Sequence, residues 1–172
     1  MSLVRTIYTD GASSNNGRSN AKAGIGVWFG DNNDNNISCP VSFKPLTNNV
    51  AELEAIYLAI LSSIDWLEGK NTIIIKSDSQ YSLNCLTIWL QGFKRRDWKT
   101  GQNKPLKNKE LIQKIDILIL QYEDQIYFNH VSAHMKAPHT TDPKYSDWYG
   151  NFMADKLAVK GRSYDLETSL AE

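Results

Sequence analysis

Four acidic residues, Asp10, Glu52, Asp78 and Asp155, stand where a folded chain usually avoids charge. Asp10 ends the apolar run Leu3-Val4-Arg5-Thr6-Ile7-Tyr8-Thr9, and Asp78 ends Ile73-Ile74-Ile75-Lys76-Ser77. Glu52 and Asp155 lie among apolar residues in helix-like segments. Carboxylates crowded together repel one another and resist ionising together. If the four converge they require a divalent cation, and an all-oxygen site favours Mg²⁺ or Mn²⁺.

The pattern around them is that of a layered α/β domain. Residues 3–9 read as a strand rich in β-branched and aromatic residues, and 22–29 and 37–43 as two further strands. Residues 11–20 are small and polar and read as a loop. The polar tract 30–36 reads as a hairpin connection. Val50, Leu53, Tyr57, Ile60, Leu61 and Ile64 recur at helical spacing, with Asn49 placed to cap and Glu52 three residues on. Residues 72–76 form an unbroken apolar run, expected of a strand covered on both faces. Helices are predicted over 79–90, 110–121 and 147–160, with a fifth strand over 125–131. The stretch 91–109 reads as basic and irregular, and 161–172 as a frayed tail. Strands followed by helices in this order make a mixed sheet with helices on its faces.

Each acid also has a plain structural reading. Asp10-Gly11 suits a turn, Asp78 an N-cap and Glu52 a capping box. Asp155 suits an exposed helix position, yet Asn151, Phe152, Ala158 and Val159 three and four residues away offer it no cation. The set points elsewhere. Two acids end strands, where open α/β sheets place their sites, and two sit on helices able to flank those ends.

The 172 residues suffice for one domain with a core, and the net charge is zero. Nucleic-acid affinity therefore has to come from local clustering of charge. Residues 93–109 provide it, with seven lysines and arginines (94, 95, 96, 99, 104, 107, 109) against Asp97 alone. Phe93 and Trp98 are interleaved with them and could pack on sugars. A solvated basic face is the alternative. Cys39 and Cys85 lack metal or disulfide spacing, which suits a reducing compartment. No apolar run reaches the ~20 residues of a membrane span. The first strand starts near residue 3, with no room ahead of it for a signal or transit peptide. A cytoplasmic, intracellular monomer that contacts no membrane is the expectation.

Four strings carry a family resemblance. Tyr8-Thr9-Asp10-Gly11, Thr47-Asn48-Asn49-Val50-Ala51-Glu52-Leu53, Ser77-Asp78-Ser79-Gln80-Tyr81 and Gly150-Asn151-Phe152-Met153-Ala154-Asp155-Lys156-Leu157-Ala158 occur in order. Together they resemble the motifs of the type 1 ribonuclease H family, over about residues 4 to 160. The resemblance implies a ribonuclease H-like fold: one α/β domain over 1–160, with a five-stranded mixed sheet flanked by helices. It makes about 91–109 a basic protrusion. It implies a metal-dependent endonuclease that cuts the RNA strand of RNA–DNA hybrids without sequence specificity. Asp10 would bridge two Mg²⁺ ions, with Mn²⁺ a possible substitute. Asp155 would share the ion that activates water. Glu52 and Asp78 would help hold the ion at the leaving 3′-oxygen. Two cations about 4 Å apart suit in-line phosphoryl displacement, giving 5′-phosphate and 3′-hydroxyl ends.

The same resemblance assigns contacts to the substrate. Asn16, Asn48, Asn49 and Gln80 would meet RNA and the neighbouring strand, where the 2′-hydroxyl distinguishes RNA from DNA. For Asn16 an ordinary loop role weighs equally. Phe93, Lys94, Arg95, Arg96, Trp98, Lys99 and Lys104 would meet the DNA strand. Thr47 and Asn108 would meet a DNA phosphate, since Pro45 stands where some members carry arginine. His134 resembles a loop histidine that assists leaving-group protonation or product release. His130 and His134, four apart, lie in strand and loop and do not form a helical metal pair. The segment between His134 and Asp155 is longer than in compact members, and reads as an insertion or a lid. A separate N-terminal hybrid-binding module is not expected. Two rival readings remain: a DNA-cutting nuclease of the same fold, and a catalytically inactive hybrid-binding module.

Overall fold

A computed structural model describes residues 1–164; the expected tail falls largely on 165–172, outside the described residues. Strands β1 (Val4–Ser14), β2 (Lys22–Trp28) and β3 (Ile37–Pro40) come first. Helices α1 (Asn48–Leu61) and α2 (Ile64–Glu68) lead to β4 (Thr72–Ser77). Then come α3 (Gln80–Leu86), α4 (Leu90–Arg95), α5 (Lys109–Gln121), β5 (Ile126–His130) and α6 (Tyr145–Arg162). The sheet order is β3-β2-β1-β4-β5. β1 pairs antiparallel with β2 and parallel with β4, so the five-stranded sheet is mixed.

The core lies between the sheet and α1, α3 and α5. Ile7, Ile25, Ile73 and Ile75 from the strands meet Leu53, Ile56, Ile60, Ile112 and Ile115 from the helices, all without solvent exposure. α6 covers the other face over β1, β2 and β3. Its first turn is held by Asp147, which accepts hydrogen bonds from the Tyr8 hydroxyl at 2.6 Å and the Lys76 ammonium at 2.7 Å. Among the described residues no helix is long and apolar enough to cross a membrane.

Several boundaries differ from expectation. β1 does not end at Asp10: Gly11 to Ser14 continue the strand, paired with Ile25 to Lys22. Their small side chains permit a close approach instead of forming a turn. A β-carbon on Gly11 would lie 2.5 Å from the Glu52 backbone nitrogen, so α1 sits directly on this strand. α1 is capped by Thr47, whose hydroxyl accepts from the Val50 N–H at 3.2 Å, and Asn49 lies inside the first turn. Asp78 is not a cap either, because the Ser79 hydroxyl caps α3 by accepting from Ser82 N–H.

The helix predicted over 79–90 breaks at Thr87, whose hydroxyl donates to the Leu83 carbonyl. The chain restarts as α4, so the head of the basic segment is helical. β4 is not evenly buried: Ile73 and Ile75 are enclosed but Ile74 only partly. α6 starts at Tyr145, which shortens the loop after His134, and it continues to Arg162, into the expected tail.

Candidate active site

Asp10 lies mid-strand opposite Gly26 of β2. Gly26 has no side chain to hold α6 away, and a β-carbon there would meet the Ala154 carbonyl oxygen at 2.0 Å. This contact seats the helical turn carrying Asp155 beside Asp10. Gly11, the residue after Asp10, does the same for α1 and Glu52. Asp78 follows the last residue of β4, the parallel neighbour of β1. Two strands and two close-packed helices thus bring the four acids together beside the C-terminal end of β4.

Carboxylate oxygens of Asp10, Glu52 and Asp78 all lie within 4.8 Å of one another. Asp155 lines the adjoining cavity of about 220 Å³ together with Asp10, Asp78, Asn151 and His134. Burial, then the charges of Asp78 and Asp155, pushes the Asp10 carboxyl up to about 7. Hydrogen bonds from Glu52 and the Gly11 N–H, the latter 2.8 Å from Oδ1, pull the other way. Burial also drives Glu52 well above the usual carboxylate range, helped by the Asp10 charge. Asp78 is raised mainly by burial, against the lowering effects of Asn151, His134 and His130.

These residues fit divalent cations. Glu52 Oε2 is buried and has no hydrogen-bond partner. An unpartnered oxygen beside two more carboxylates is costly for the metal-free fold, and a cation would satisfy it. Hard oxygen donors of this kind suit Mg²⁺ or Mn²⁺ chemistry.

Asn151 is a residue to which its motif alone assigned no role. It is 8% exposed, and its Nδ2 donates to Asp78 Oδ2 at 3.3 Å. The signal was available: Asp147, Asn151 and Asp155 recur every four residues and share one face of α6. Asp147 grips Tyr8 and Lys76, Asn151 grips Asp78, and Asp155 enters the acid cluster's cavity.

The polar residues expected to meet substrate fall into two groups. Near the acids, Asn48 Oδ1 accepts from the Ser13 hydroxyl at 2.7 Å and its N–H at 3.0 Å. Asn16 Oδ1 accepts from the Asn48 N–H at 2.8 Å, so Asn16 is tied to the start of α1. Asn49 and Gln80 are exposed, and Gln80 Nε2 donates to Asn84. Farther off, a groove of about 550 Å³ is lined by Tyr81, Trp89, Phe93, Arg96, Lys104 and Leu106. Trp89, 40% exposed, is a wall of this groove that attention to charge alone overlooked. Phe93 is 8% exposed and forms the groove floor, and Trp98 is half-buried against the core, so neither ring projects freely. Lys94 is bound to the buried Asp116 at 2.8 Å. Arg95 and Lys99 are exposed, and Asn108 Nδ2 donates to the Tyr81 hydroxyl at 2.9 Å.

A five-stranded mixed sheet with helices on both faces and a carboxylate cluster beside β4 defines an α/β domain whose acids are able to hold a cation. The RNase H family model matches residues 4–163, and the chain belongs to this family. It is 38% identical over 159 residues to ribonuclease H of Schizosaccharomyces pombe, covering 92% of this chain and 53% of that protein. It is 32% identical over 155 residues to ribonuclease H of Clostridium botulinum (strain Hall), covering 88% of this chain and 91% of that one. The chain thus spans about half the length of the first of these relatives and most of the second. The solution structure of the PFV RNase H domain shares the fold with a TM-score of 0.70 at 24% identity, covering 94% of this chain and 96% of that chain.

Proposed function

We propose that this protein is an endonuclease that hydrolyses the RNA strand of RNA–DNA hybrids with the aid of Mg²⁺, for which Mn²⁺ can substitute. The observation that carries the reading is the convergence of Asp10, Glu52 and Asp78 within 4.8 Å, with a buried, unpartnered Glu52 oxygen among them. Family membership and the names of the relatives support the substrate.

Asp10, Glu52, Asp78 and Asp155 would hold the cations, which stabilise the attacking and leaving oxygens of an in-line displacement. The Gly11 N–H orients Asp10, and the Asn151 amide orients Asp78. A water oxygen bonds to phosphorus as the P–O3′ bond breaks, so the products carry a 5′-phosphate and a 3′-hydroxyl. The water gives up a proton, and the 3′-oxygen gains one. His134 lines the same cavity as Asp10, Asp78 and Asp155 and would relay these protons.

Selection of RNA rests on amides around the acids. The Asn48 and Asn16 side-chain oxygens are occupied within the protein, which leaves their Nδ2 groups to donate to a ribose hydroxyl. Gln80 donates to Asn84 through Nε2, so its Oε1 is the group offered as acceptor. Asn49, exposed in the first turn of α1, completes the set. The DNA strand would lie in the groove of Tyr81, Trp89 and Phe93, with Arg95, Arg96, Lys99 and Lys104 against its phosphates and Trp98 bracing the wall. Thr47 and Asn108 would flank a further DNA phosphate. The protein would act as a monomer in the cytoplasm.

The test labels the RNA strand of a hybrid and compares wild type with Asp10→Asn, with and without chelator. Only wild type with metal should cut, and equal cutting by Asp10→Asn would remove the carboxylates from the chemistry. A parallel panel of duplex DNA, single strands and duplex RNA should remain uncut. Preferential cutting of DNA would replace this reading by that of a DNA nuclease.

A further inference from the structure

One face of α6 carries a row of side chains that the carboxylate chemistry does not use. Trp148, Phe152 and Lys156 follow one another at four-residue steps. The Trp148 and Phe152 rings stack at 5.3 Å with planes 16° apart, and the Lys156 ammonium lies 5.2 Å from the Phe152 ring centre. The row begins inside the site: Trp148 and Phe152 line the same cavity as Asp10, Asp78 and Asp155. Met135, 47% exposed, extends this apolar wall, and Phe152 is itself 41% exposed. Open rings that end in the Lys156 ammonium suit a ligand that is apolar at one point and anionic at the next.

A nucleic-acid strand has that alternation. We propose that the Trp148–Phe152–Lys156 row is a track for the sugar–phosphate backbone of the RNA strand, leading away from the scissile phosphate. This rests on the nuclease reading and adds a contact surface to it. Riboses would lie against the rings, and a phosphate would meet Lys156. The single indole donor of Trp148 is already spent on the Met135 carbonyl at 3.1 Å. The rings therefore offer only surface, and the track tolerates any base. Eight residues of helix separate Trp148 from Lys156, about 12 Å at ~1.5 Å per residue. At about 3.4 Å of rise per nucleotide, the track spans about three to four nucleotides.

The experiment measures hybrid affinity in an Asp10→Asn background, where the strand is not cut. The RNA strand is extended by zero to five nucleotides beyond the cut, separately on each side, and the DNA strand is kept constant. Affinity should rise about tenfold over the first three or four added nucleotides on one side only. Phe152→Ala should abolish that rise, and Phe152→Leu should retain part of it. Lys156→Ala should lower the slope of log affinity against log salt by about one unit. If the variants lose the same affinity for every length, the rings act only in the fold and the track is refuted. No loss at any length, or a rise that follows the DNA strand instead, refutes it equally. Wild-type cleavage in Mg²⁺ is scored separately. A length-dependent loss in Phe152→Ala without wild-type cleavage would keep the track and remove the nuclease reading.

Discussion

Gly26 lies so close beneath Ala154 that a β-carbon on the glycine would stand 2.0 Å from the alanine's carbonyl oxygen. Gly26 is also the strand partner of Asp10. The contact therefore sets how near α6, and with it Asp155, comes to the acid cluster. A methyl group here has to push a helix backbone away. Gly26→Ala should cost about 1–3 kcal/mol of stability, as overpacking does. It should also lower cleavage more than tenfold at temperatures where the variant is folded. Thermal unfolding and activity measured together check this, and a folded, fully active variant would contradict it.

Asn151→Ala removes the amide that holds Asp78. Supporting hydrogen bonds to metal ligands are typically worth 10–100-fold in metal affinity or activity. The variant should need at least tenfold more Mg²⁺ for half-maximal cutting. A Mg²⁺ titration with an unchanged midpoint would show that Asp78 is oriented without it.

Asp10→Asn should abolish cutting without lowering the thermal midpoint of the metal-free protein. Burial and the charges of Asp78 and Asp155 raise the Asp10 carboxyl, so its ionised form burdens the folded state. Calorimetry in chelator gives the answer. A midpoint well below that of wild type would assign Asp10 a structural role.

Asp147 gives a dependence on acid that is separate from the metal site. Burial alone would raise its carboxyl, but the hydrogen bonds from Lys76 and Tyr8 outweigh burial and hold it below its ordinary 3.8. A depressed carboxyl contributes stability above the unfolded value, and this is lost as pH falls through the folded one. Wild type should therefore lose stability on acidification below about pH 4, and Asp147→Asn should show a shallower loss. Denaturant midpoints measured across this range decide, and parallel curves would remove the linkage.

Lys94 and Lys104 should behave differently although both belong to the basic segment. Lys94→Ala strands the buried Asp116 and should cost about 3 kcal/mol, at the low end for a broken buried pair. Lys104→Ala should leave stability nearly unchanged, weaken hybrid binding and reduce the salt slope by about one unit. Denaturation and binding in graded salt separate the two. Equal salt slopes for both variants would return Lys94 to the phosphate contacts.

Much of the fold is visible in local pattern. The β-branched and aromatic residues of β2, β4 and β5 and the apolar stripes of α1 and α5 show the elements close to their true bounds, because period and side-chain shape act over a few residues. Local pattern failed where a distant neighbour decided. Gly11 to Ser14 look like a loop, yet β2 makes them strand. At Asp78 the choice was local: its immediate neighbour Ser79 takes the capping role. Phe93 and Lys94 look like a surface, yet the core and Asp116 claim them.

The sequence by itself determined the elements, the order of four acid-bearing motifs and the polarised charge, since these depend on residue type and spacing along the chain. Only the tertiary structure decided that the acids meet. They are brought together by strand register and by two glycines, Gly11 and Gly26, that let α1 and α6 approach the sheet. The distance between segments far apart in sequence is set by packing, and the spacing of residues along a chain does not record it.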